Sequence, residues 1–406
     1  MKILITISHL MTGGAQTFVI RLASALAKYH TVYVYNFNFF PITDNILIDR
    51  FPDNVKVISF FPPSSPTLLN QTLSKLERLT AKTGKKVKFR EKLRRLHFQF
   101  VLKQLKVNLI NSHLYHADSF VVENIKDLSI PVIVTDHGDY KYVIEQQLSD
   151  RSNTQKIFER INGIVVLSED NATAIAQYVK SNLPIKKIYN GIALPQLQKQ
   201  TISGREKLKI PKDALVFGMV ARGIQEKGWA ELIQAFKQVV YAKQEVYLIL
   251  VGDSEYLRNL KASLNGIADR VHFVGYSSDP NYWIECFDVG VLPTYFDGES
   301  LPYSIIEYLS FGKPAIATKM GGIPEIMTHN AQIAGFTIKI QAGKADVASL
   351  AHAMLQYINN PSLLNQHSQI AQQAFEKFNI ENCVKSYKLF FQQVLVNNMK
   401  SSPDQK

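Results

Sequence analysis

Two glutamates eight residues apart, Glu299 and Glu307, flank a predicted junction between a loop and a helix. Pro302 suits the first turn of that helix because its missing N–H would have no partner there, and Gly312 can end the helix in a left-handed conformation. At about 1.5 Å per helical residue, the two carboxylates lie at most roughly 12 Å apart. A sugar joined to a nucleoside by a diphosphate has about that length, and the amides of a helix start attract phosphate. The pair is therefore a candidate site for such a ligand, although two glutamates at this spacing also occur on ordinary surface helices.

Two cations, Arg222 and Lys227, follow the predicted strand 215–220. Open α/β sheets bind ligands at the C-terminal ends of their strands, and two cations placed there could clamp both phosphates of a diphosphate. The alternative is that they are solvated loop charges; their position favours the ligand site. Because the sequence contains no Asp-x-Asp pair, we expect these cations and helix amides, rather than a metal ion, to meet the diphosphate charge.

The first predicted strand, 2–8, is followed by Gly13, Gly14 and Gln16 at the start of a predicted helix. Two glycines allow a tight turn and a close approach of the backbone to a ligand. The segment is not the Gly-x-Gly-x-x-Gly fingerprint, so an enzyme that uses a nicotinamide cofactor is disfavoured. The alternative is a glycine turn that serves only the geometry between strand and helix.

Three histidines, His113, His116 and His137, follow two successive predicted strands of the first half, 108–111 and 132–135. A lone histidine is more often structural. Three of them at adjacent strand ends make at least one a candidate for contact with a reacting group.

The composition indicates two globular domains, since the chain has 406 residues and 46% of them are apolar. No apolar run approaches the roughly 18 residues that span a bilayer, and the first strand is too short for a signal-peptide core. Cys286 and Cys383 are the two cysteines, and their spacing indicates neither a disulfide framework nor a zinc site. These features predict a protein of the reducing cytoplasm.

Most of the formal net charge of +12 lies in one segment, Lys75 to Lys106, which holds twelve Lys or Arg against two Glu. Within it Phe89, Leu93, Leu96 and Phe100 recur at helical spacing. This helix could lie on an anionic membrane surface, or it could pack its apolar stripe on the core and solvate its charges. Nucleic-acid binding is not expected because the segment lacks a repeated pattern of aromatic residues.

Short β-rich runs alternate with longer helical runs in both halves, which predicts two doubly wound parallel sheets covered by helices. A stretch containing Pro and Lys, 190–213, separates the two series and is the expected hinge region.

Taken together, three motifs resemble those of the retaining glycosyltransferases of family 4, also called glycosyl transferases group 1, which have the GT-B fold. The motifs are Gly13 to Gln16, Arg222 with Lys227 and Gly228, and the segment from Glu299 to Pro314; the resemblance extends through 251–253, 271–275 and 321–325. The chain departs from the family pattern at three places. It has Leu301 and Pro302 where the family usually has Phe-Gly, Ala221 in place of Gly, and Gln16 where Glu is frequent.

The resemblance implies an α/β architecture of two Rossmann-like domains facing a cleft. Residues 1–190 would form the acceptor-binding domain and residues 196–378 the domain that binds a nucleotide sugar. A C-terminal helix over 379–399 would cross back to the first domain.

The resemblance also implies roles for single residues. Arg222 and Lys227 would hold the diphosphate, Glu299 would contact the hydroxyls of the donor sugar, and Glu307 would bind the ribose. At the helix start, Ser300 and Leu301 would also contact the donor. The loop of Gly13, Gly14 and Gln16 would lie near the phosphate or the acceptor. His113 would lie near the transferred sugar, with His116 as the competing assignment and His137 as a further candidate. The expected catalytic residues are Glu299, His113, Lys227 and Arg222.

The implied reaction moves a hexose-type sugar, with retention, from a nucleotide-diphosphate sugar to a hydroxyl of a glycan or lipid-linked acceptor. It would serve envelope polysaccharide or glycolipid synthesis. A UDP-sugar is the favoured donor, and neither a metal nor another cofactor is expected. The protein would act in the cytoplasm, with the segment Lys75 to Lys106 as a contact to the inner face of the membrane. Two alternatives stay open: a GT-B protein that binds nucleotide sugar without catalysis, and a nucleotide-sugar epimerase.

Overall fold

The chain folds into two compact units in the computed structural model. The first unit combines residues 1–191 with those from Ile380 onward, and the second comprises Ile192–Asn379. The structure describes the following residues: 1–11, 13–37, 45–60, 66–82, 88–125, 129–145, 151–195, 202–241 and 245–401.

The first unit is built on a seven-stranded parallel sheet with strand order β3-β2-β1-β4-β5-β6-β7. Its central strands are almost entirely buried, as expected for a parallel sheet covered on both faces. The strands are β1 (Lys2–Ile7), β2 (Thr31–Asn36), β3 (Val55–Ser59), β4 (Leu109–His113), β5 (Val132–Asp136), β6 (Gly163–Val166) and β7 (Ile185–Lys187).

Helices cover both faces of this sheet, and the last helix of the chain belongs to the same unit. That last helix packs on α1, and its Tyr387 hydroxyl lies 3.2 Å from the Thr135 hydroxyl at the end of β5. The helices are α1 (Gly14–Leu26), α2 (Asn45–Ile48), α3 (Pro66–Lys82), α4 (Phe89–Leu105), α5 (Tyr115–Asn124), α6 (Asp139–Glu145), α7 (Arg151–Arg160), α8 (Glu169–Ile175) with a 3₁₀ turn at Ala176–Tyr178, and the C-terminal helix (Ile380–Ser401).

The second unit holds a six-stranded parallel sheet with strand order β10-β9-β8-β11-β12-β13. Its strands are β8 (Leu215–Val220), β9 (Val246–Val251), β10 (Val271–Gly275), β11 (Val289–Leu292), β12 (Ala315–Thr318) and β13 (Gly335–Ile338). Two short hairpins pair Thr328–His329 with Gln332–Ile333 and Ile340–Gln341 with Lys344–Ala345. Its helices are α9 (Gly204–Lys207), a 3₁₀ turn at Gln225–Lys227, α10 (Trp229–Val239), α11 (Glu255–Ala262), α12 (Pro280–Glu285), α13 (Tyr303–Ser310), α14 (Ile323–Met327), α15 (Val347–Asn359), α16 (Pro361–Phe375) and a 3₁₀ turn at Glu376–Phe378; the C-terminal helix is α17.

The chain reverses its direction of travel across each sheet at one point. In the first sheet β1 lies beside β4, and in the second β8 lies beside β11. Ligands of open α/β sheets bind outside the carboxyl ends of the strands at such a switch point. The predicted site residues lie at or after the ends of these four strands, except His137, which follows β5 beside β4. The topology therefore gathers them in two groups, one in each unit.

Two doubly wound parallel sheets are confirmed. Of the two alternatives left open for the basic segment, packing of its apolar stripe on the core is contradicted. The stripe of α4 does not pack on the core: Leu93, Leu96 and Phe100 are 42%, 54% and 58% exposed. The buried face of α4 consists instead of Arg94, Phe98, Val101 and Leu102. Residues 83–87 of the segment Lys75 to Lys106, and 196–201 of the expected hinge, lie outside the described residues.

Candidate functional site

The loop after β8 is held in one conformation by close backbone contacts. Gly228 ends the 3₁₀ turn with φ at +82°, and a Cβ there would overlap the carbonyl oxygen of Pro293 at the end of β11. Gly223 is confined in the same way by Ser254, which follows β9. The indole of Trp229 donates to the carbonyl oxygen of Arg222 at 3.0 Å. The segment carrying the two cations is therefore fixed against the neighbouring strand ends.

Lys227 forms an ion pair with Glu299, and both side chains are only 9% exposed. The pair joins the loop after β8 to the loop after β11, 72 residues further along the chain. The hydroxyl of Thr294 donates to the same carboxylate oxygen, Oε2, at 2.9 Å. A buried charge needs such partners, because an uncompensated charge at this position would be strongly destabilising. The pairing places the predicted phosphate-binding lysine beside the predicted sugar-binding glutamate.

The ring of Phe296 brings the two predicted phosphate ligands together. The guanidinium carbon of Arg222 lies 5.1 Å and the Nζ of Lys227 lies 5.0 Å from its centroid, both within the range of cation–π attraction. Arg222 is exposed, whereas Lys227 is buried. One exposed and one buried cation thus converge on a single aromatic ring, which is an arrangement suited to a diphosphate that enters from solvent.

The helix start next to Glu299 has the geometry that binds an anion. Pro302 precedes α13 as its N-cap in an extended conformation, one position earlier than expected, and no side chain caps the helix. The positive end of the helix dipole at this start attracts a phosphate. Glu307 lies in the second turn and is half-buried. On the other side of α13, the Tyr308 hydroxyl accepts a hydrogen bond from the Val220 amide at 2.9 Å, which ties the helix to β8.

A second glycine loop supports the segment 299–301. Ser300 and Leu301 are buried, and the Gly322 amide donates to the Ser300 carbonyl oxygen at 2.8 Å. Gly321 has φ at +49°, and a Cβ there would overlap the Glu299 carbonyl oxygen. The Gly-Gly pair at 321–322 therefore positions Glu299 through its backbone.

The glycine loop of the first unit encloses Gln16. A Cβ at Gly13 would collide with the side-chain oxygen of Gln16, and Gly14 is the first residue of α1. The buried Gln16 amide lies 3.0 Å from Nε2 of His9. The glycines thus allow the loop after β1 to close on Gln16.

The buried His113 and the half-buried His137 form a pair. Nδ1 of His113 lies 2.9 Å from Nε2 of His137, and Nε2 of His113 lies 3.0 Å from the side-chain oxygen of Asn111. The ring of Phe18 packs against both histidines. Burial lowers the pKa of His113 well below its ordinary value and that of His137 to about 4, so both rings are neutral at physiological pH. His116, by contrast, is exposed.

Two buried acids brace the loops that follow β4 and β5. Asp118 accepts a hydrogen bond from the Tyr140 hydroxyl at 2.9 Å, and Asp136 accepts one from the Gly138 amide at 2.7 Å. Burial raises the pKa of both carboxyls well above the ordinary value. Leu114, directly after His113, has φ at +74°, an uncommon conformation for a branched residue. The histidine pair is therefore held by a strained and densely bonded loop.

Sequence reasoning missed the residues that orient the predicted ones. Thr294 and Phe296 position the Lys227–Glu299 pair, and His9 and Asn111 contact Gln16 and His113. Thr294, Phe296 and His9 follow strand ends, which is the signal that could have singled them out. Asn111 lies within β4, where an isolated polar residue in a buried strand is the corresponding signal.

His137 makes the stability of the first unit depend on pH. Its folded pKa of about 4 lies below the ordinary 6.5, so between these values the unfolded chain binds a proton that the folded chain does not. The free energy of unfolding therefore falls as the pH falls through this window. We expect His137→Gln to flatten that fall by up to about 1.4 kcal/mol per pH unit, in thermal melts from about pH 7 to about pH 4.5. A variant that keeps the full wild-type slope would contradict the assignment.

Within the part of the chain that the structure describes, no group of three or more His, Cys, Asp or Glu side chains is placed to hold a metal ion. Among the described helices, none combines the length and the apolar character that crossing a bilayer requires.

Comparisons with known proteins agree with the fold. Two family models match: Glycosyltransferase Family 4 over residues 12–195 and Glycosyl transferases group 1 over residues 201–376. N-acetyl-alpha-D-glucosaminyl L-malate synthase of Bacillus anthracis is 25% identical over 293 residues, which are 69% of this chain and 71% of that protein. Lipopolysaccharide core biosynthesis glycosyltransferase LpsD of Rhizobium meliloti is 32% identical over 162 residues, 39% of this chain and 43% of that protein.

Among solved structures, Anabaena Alr3699/HepE in complex with UDP superposes with a TM-score of 0.72 and 21% identity, covering 97% of this chain and 100% of that one. This similarity shows the GT-B fold. The two family models together cover most of each unit. The chain therefore belongs to the group 1 glycosyl transferases, family 4, and is a glycosyltransferase of the GT-B fold.

Proposed function

We propose that the protein transfers a hexose-type sugar from a UDP-sugar to a hydroxyl of a glycan or lipid-linked acceptor, with retention of configuration and without a metal ion. The observation that carries this proposal is the convergence of Arg222 and Lys227 on Phe296, beside Glu299, which lies just before α13. The donor class is supported by the solved complexes of Anabaena Alr3699/HepE with UDP and with UDP-glucose. The acceptor class is supported by the name of one curated relative, the lipopolysaccharide core biosynthesis glycosyltransferase LpsD.

The chemistry requires the bond between the anomeric carbon and the diphosphate to break while a bond to the acceptor oxygen forms. In front-side attack, the acceptor approaches the face that the diphosphate leaves. The proton of its hydroxyl passes to the departing phosphate oxygen. Arg222 and Lys227 would stabilise the negative charge that develops on that phosphate, and this preorganised stabilisation is usually the largest contribution to catalysis.

Glu299 can serve the donor sugar while it remains paired. Among the described residues, its bonds from Lys227 and Thr294 both go to Oε2, which leaves Oε1 to accept from a sugar hydroxyl. Once a diphosphate binds, Lys227 would be shared between the phosphate and Glu299. The pair therefore couples recognition of the sugar to stabilisation of the leaving group.

The first unit would hold the acceptor. The loop of Gly13 and Gly14 lies at the end of β1, beside β4 with its histidines. His113 is the residue that matches the family, but it is buried against His137; His116 is the histidine that a ligand can reach in this structure. The exposed stripe of α4 supports a location at a membrane surface, where a lipid-linked acceptor would be presented. We place the protein on the cytoplasmic face, in envelope polysaccharide or glycolipid synthesis.

A screen of UDP-, GDP-, ADP- and TDP-sugars by thermal shift and donor hydrolysis tests the proposal. We expect a UDP-sugar to raise the Tm and to be slowly hydrolysed, with no change on adding EDTA. Glu307→Ala should lose most of that thermal shift, because a carboxylate bonded to ribose hydroxyls contributes about 1.5–3 kcal/mol. Glu285→Ala, which changes an exposed glutamate at the end of α12, is the matched control and should keep the shift.

Each alternative predicts a different outcome of the same screen. A thermal shift without hydrolysis, and without transfer when acceptors are added, would indicate a binding protein. Conversion of the donor sugar into its epimer without an acceptor would indicate an epimerase. Hydrolysis that EDTA abolishes would contradict the metal-independent mechanism.

A further inference from the structure

The loop that follows β11 holds the ring of Phe296 through its own backbone. The Phe296 amide donates to the Thr294 hydroxyl at 3.3 Å, and the Phe296 carbonyl oxygen accepts from the Glu299 amide at 2.9 Å. A Cβ on Gly298 would lie 2.8 Å from the edge of the ring, so the ring packs where a side chain at that position would be. The turn and the glycine together therefore limit where the ring can lie.

A backbone bond joins this loop to the loop that carries the two cations. The amide of Tyr295 donates to the carbonyl oxygen of Glu226 at 2.7 Å, directly before Lys227. The ring of the next residue, Phe296, thereby comes within about 5 Å of both Arg222 and Lys227. The position of the ring relative to the cations is thus set by the main chain.

The two cations differ in what else holds them. Lys227 is buried and paired with Glu299. Arg222 is exposed, and within the residues that the structure describes the Phe296 ring is the one partner of its guanidinium. An arginine without such a partner would sample many rotamers in water, and a ligand would have to order it on binding. The ring therefore does for Arg222 what Glu299 does for Lys227.

We propose that Phe296 is a positioning residue of the donor site, whose ring holds the Arg222 guanidinium beside Lys227 by cation–π attraction before a diphosphate binds. This rests on the proposed function, because the ligand for which the cations are held is the diphosphate of the nucleotide sugar. Cation–π attraction depends on the negative charge at the ring face, whereas apolar packing depends on the size and shape of the ring. The two contributions can therefore be separated by withdrawing electrons from a ring of nearly constant volume.

Site-specific replacement of Phe296 by mono-, di- and trifluorinated phenylalanine makes that change in steps. We expect the KM for UDP-glucose in the donor-hydrolysis assay to rise with each step, to about 5–10-fold for the trifluorinated ring, while kcat stays within about twofold. The Kd of UDP should rise by the same factor, because the cations meet the diphosphate in both ligands. Phe296→Leu should raise both constants at least as much, and Phe296→Tyr, which keeps the ring, should keep the wild-type values.

A double-mutant cycle in thermal melts tests the contact without any ligand. The trifluorinated ring at position 296 should lower the Tm less in Arg222→Met than in the wild type, because the cation that it weakens is then gone. Phe378 supplies the matched control, since Nζ of Lys377 lies 5.3 Å from its ring centroid and neither residue follows β8 or β11. Trifluorinated Phe378 should leave the KM for UDP-glucose and the Kd of UDP unchanged.

Three results would overturn the role of Phe296: equal constants across the fluorinated series, an additive cycle, or an equal rise in KM with trifluorinated Phe378. Sugar release at the wild-type KM in every variant would remove that role and leave the proposed function standing. A Kd of UDP that follows the series, without any release or transfer of sugar, would do the reverse. A wild type that binds neither UDP nor UDP-glucose would overturn both.

Discussion

Replacing Lys227 by methionine is expected to lower turnover of the sugar donor by about 10²–10³-fold. Lys227 is buried next to Glu299, whereas Arg222, which lies over the same Phe296 ring, is exposed. With a neutral methionine in place of Lys227, the charge that develops on the departing phosphate would be stabilised by the exposed Arg222 and the helix amides alone. Steady-state kinetics with a saturating acceptor measure the loss directly.

The same substitution should also destabilise the second unit, which the sequence alone did not predict. Because Glu299 is only 9% exposed, removing its lysine leaves a buried carboxylate supported by the Thr294 hydroxyl, and breaking a buried pair costs about 3–5 kcal/mol. Adding Glu299→Gln removes the unpaired charge. We expect the double variant to recover much of the wild-type Tm and to stay inactive.

Lys344 offers a matched control for Lys227. It also pairs with a buried glutamate, Glu231, at 3.8 Å, but its own side chain is 56% exposed. Lys344→Met should lower the Tm slightly and leave turnover unchanged. Near-normal turnover of Lys227→Met, or an equal loss in Lys344→Met, would rule out the assignment of Lys227 to the phosphate.

The sheets could be predicted from the sequence because central parallel strands are long apolar runs. The predicted limits of β8, 215–220, agree with the structure, and all six residues of β9 are buried. The edge strands β7 and β13 were missed. β7 has three residues, and two of them, Ile185 and Lys186, are exposed. It therefore contains no apolar run that the sequence could reveal.

The positions of the site residues could be predicted, but their partners could not. The three residues that follow strand ends are Arg222, Lys227 and Glu299. Open parallel sheets bind their ligands at the carboxyl ends of the strands. That Lys227 pairs with Glu299 depends on two loops 72 residues apart, which only tertiary packing brings together.

The sequence left open which face of α4 meets the core, for a related reason. Its helix has apolar residues on two faces, Leu93, Leu96 and Phe100 on one and Phe98, Val101 and Leu102 on the other. Helical periodicity identifies an apolar face, but it does not say which of two faces meets the core.

Gly228→Ala is expected to disable the enzyme through its backbone alone. Gly228 has φ at +82°, and a left-handed conformation costs an alanine about 1–2 kcal/mol. In addition, the new Cβ would overlap the Pro293 carbonyl oxygen, so the loop that carries Lys227 must move away from β11. A displacement of about 1 Å in a residue that positions the reacting groups can cost about a hundredfold in turnover.

Gly266→Ala separates the two causes, because Gly266 has nearly the same φ, +80°, but no atom lies within 4 Å of its added Cβ. We expect Gly266→Ala to lower the Tm by about 2–8 °C, the cost of the left-handed conformation alone, and to keep wild-type turnover. Gly228→Ala should lower the Tm further and lose turnover even at temperatures where it remains folded. If both variants lost stability equally and both remained active, the contact with Pro293 would not position Lys227. The glycine of the Lys-Gly motif would then serve only the turn.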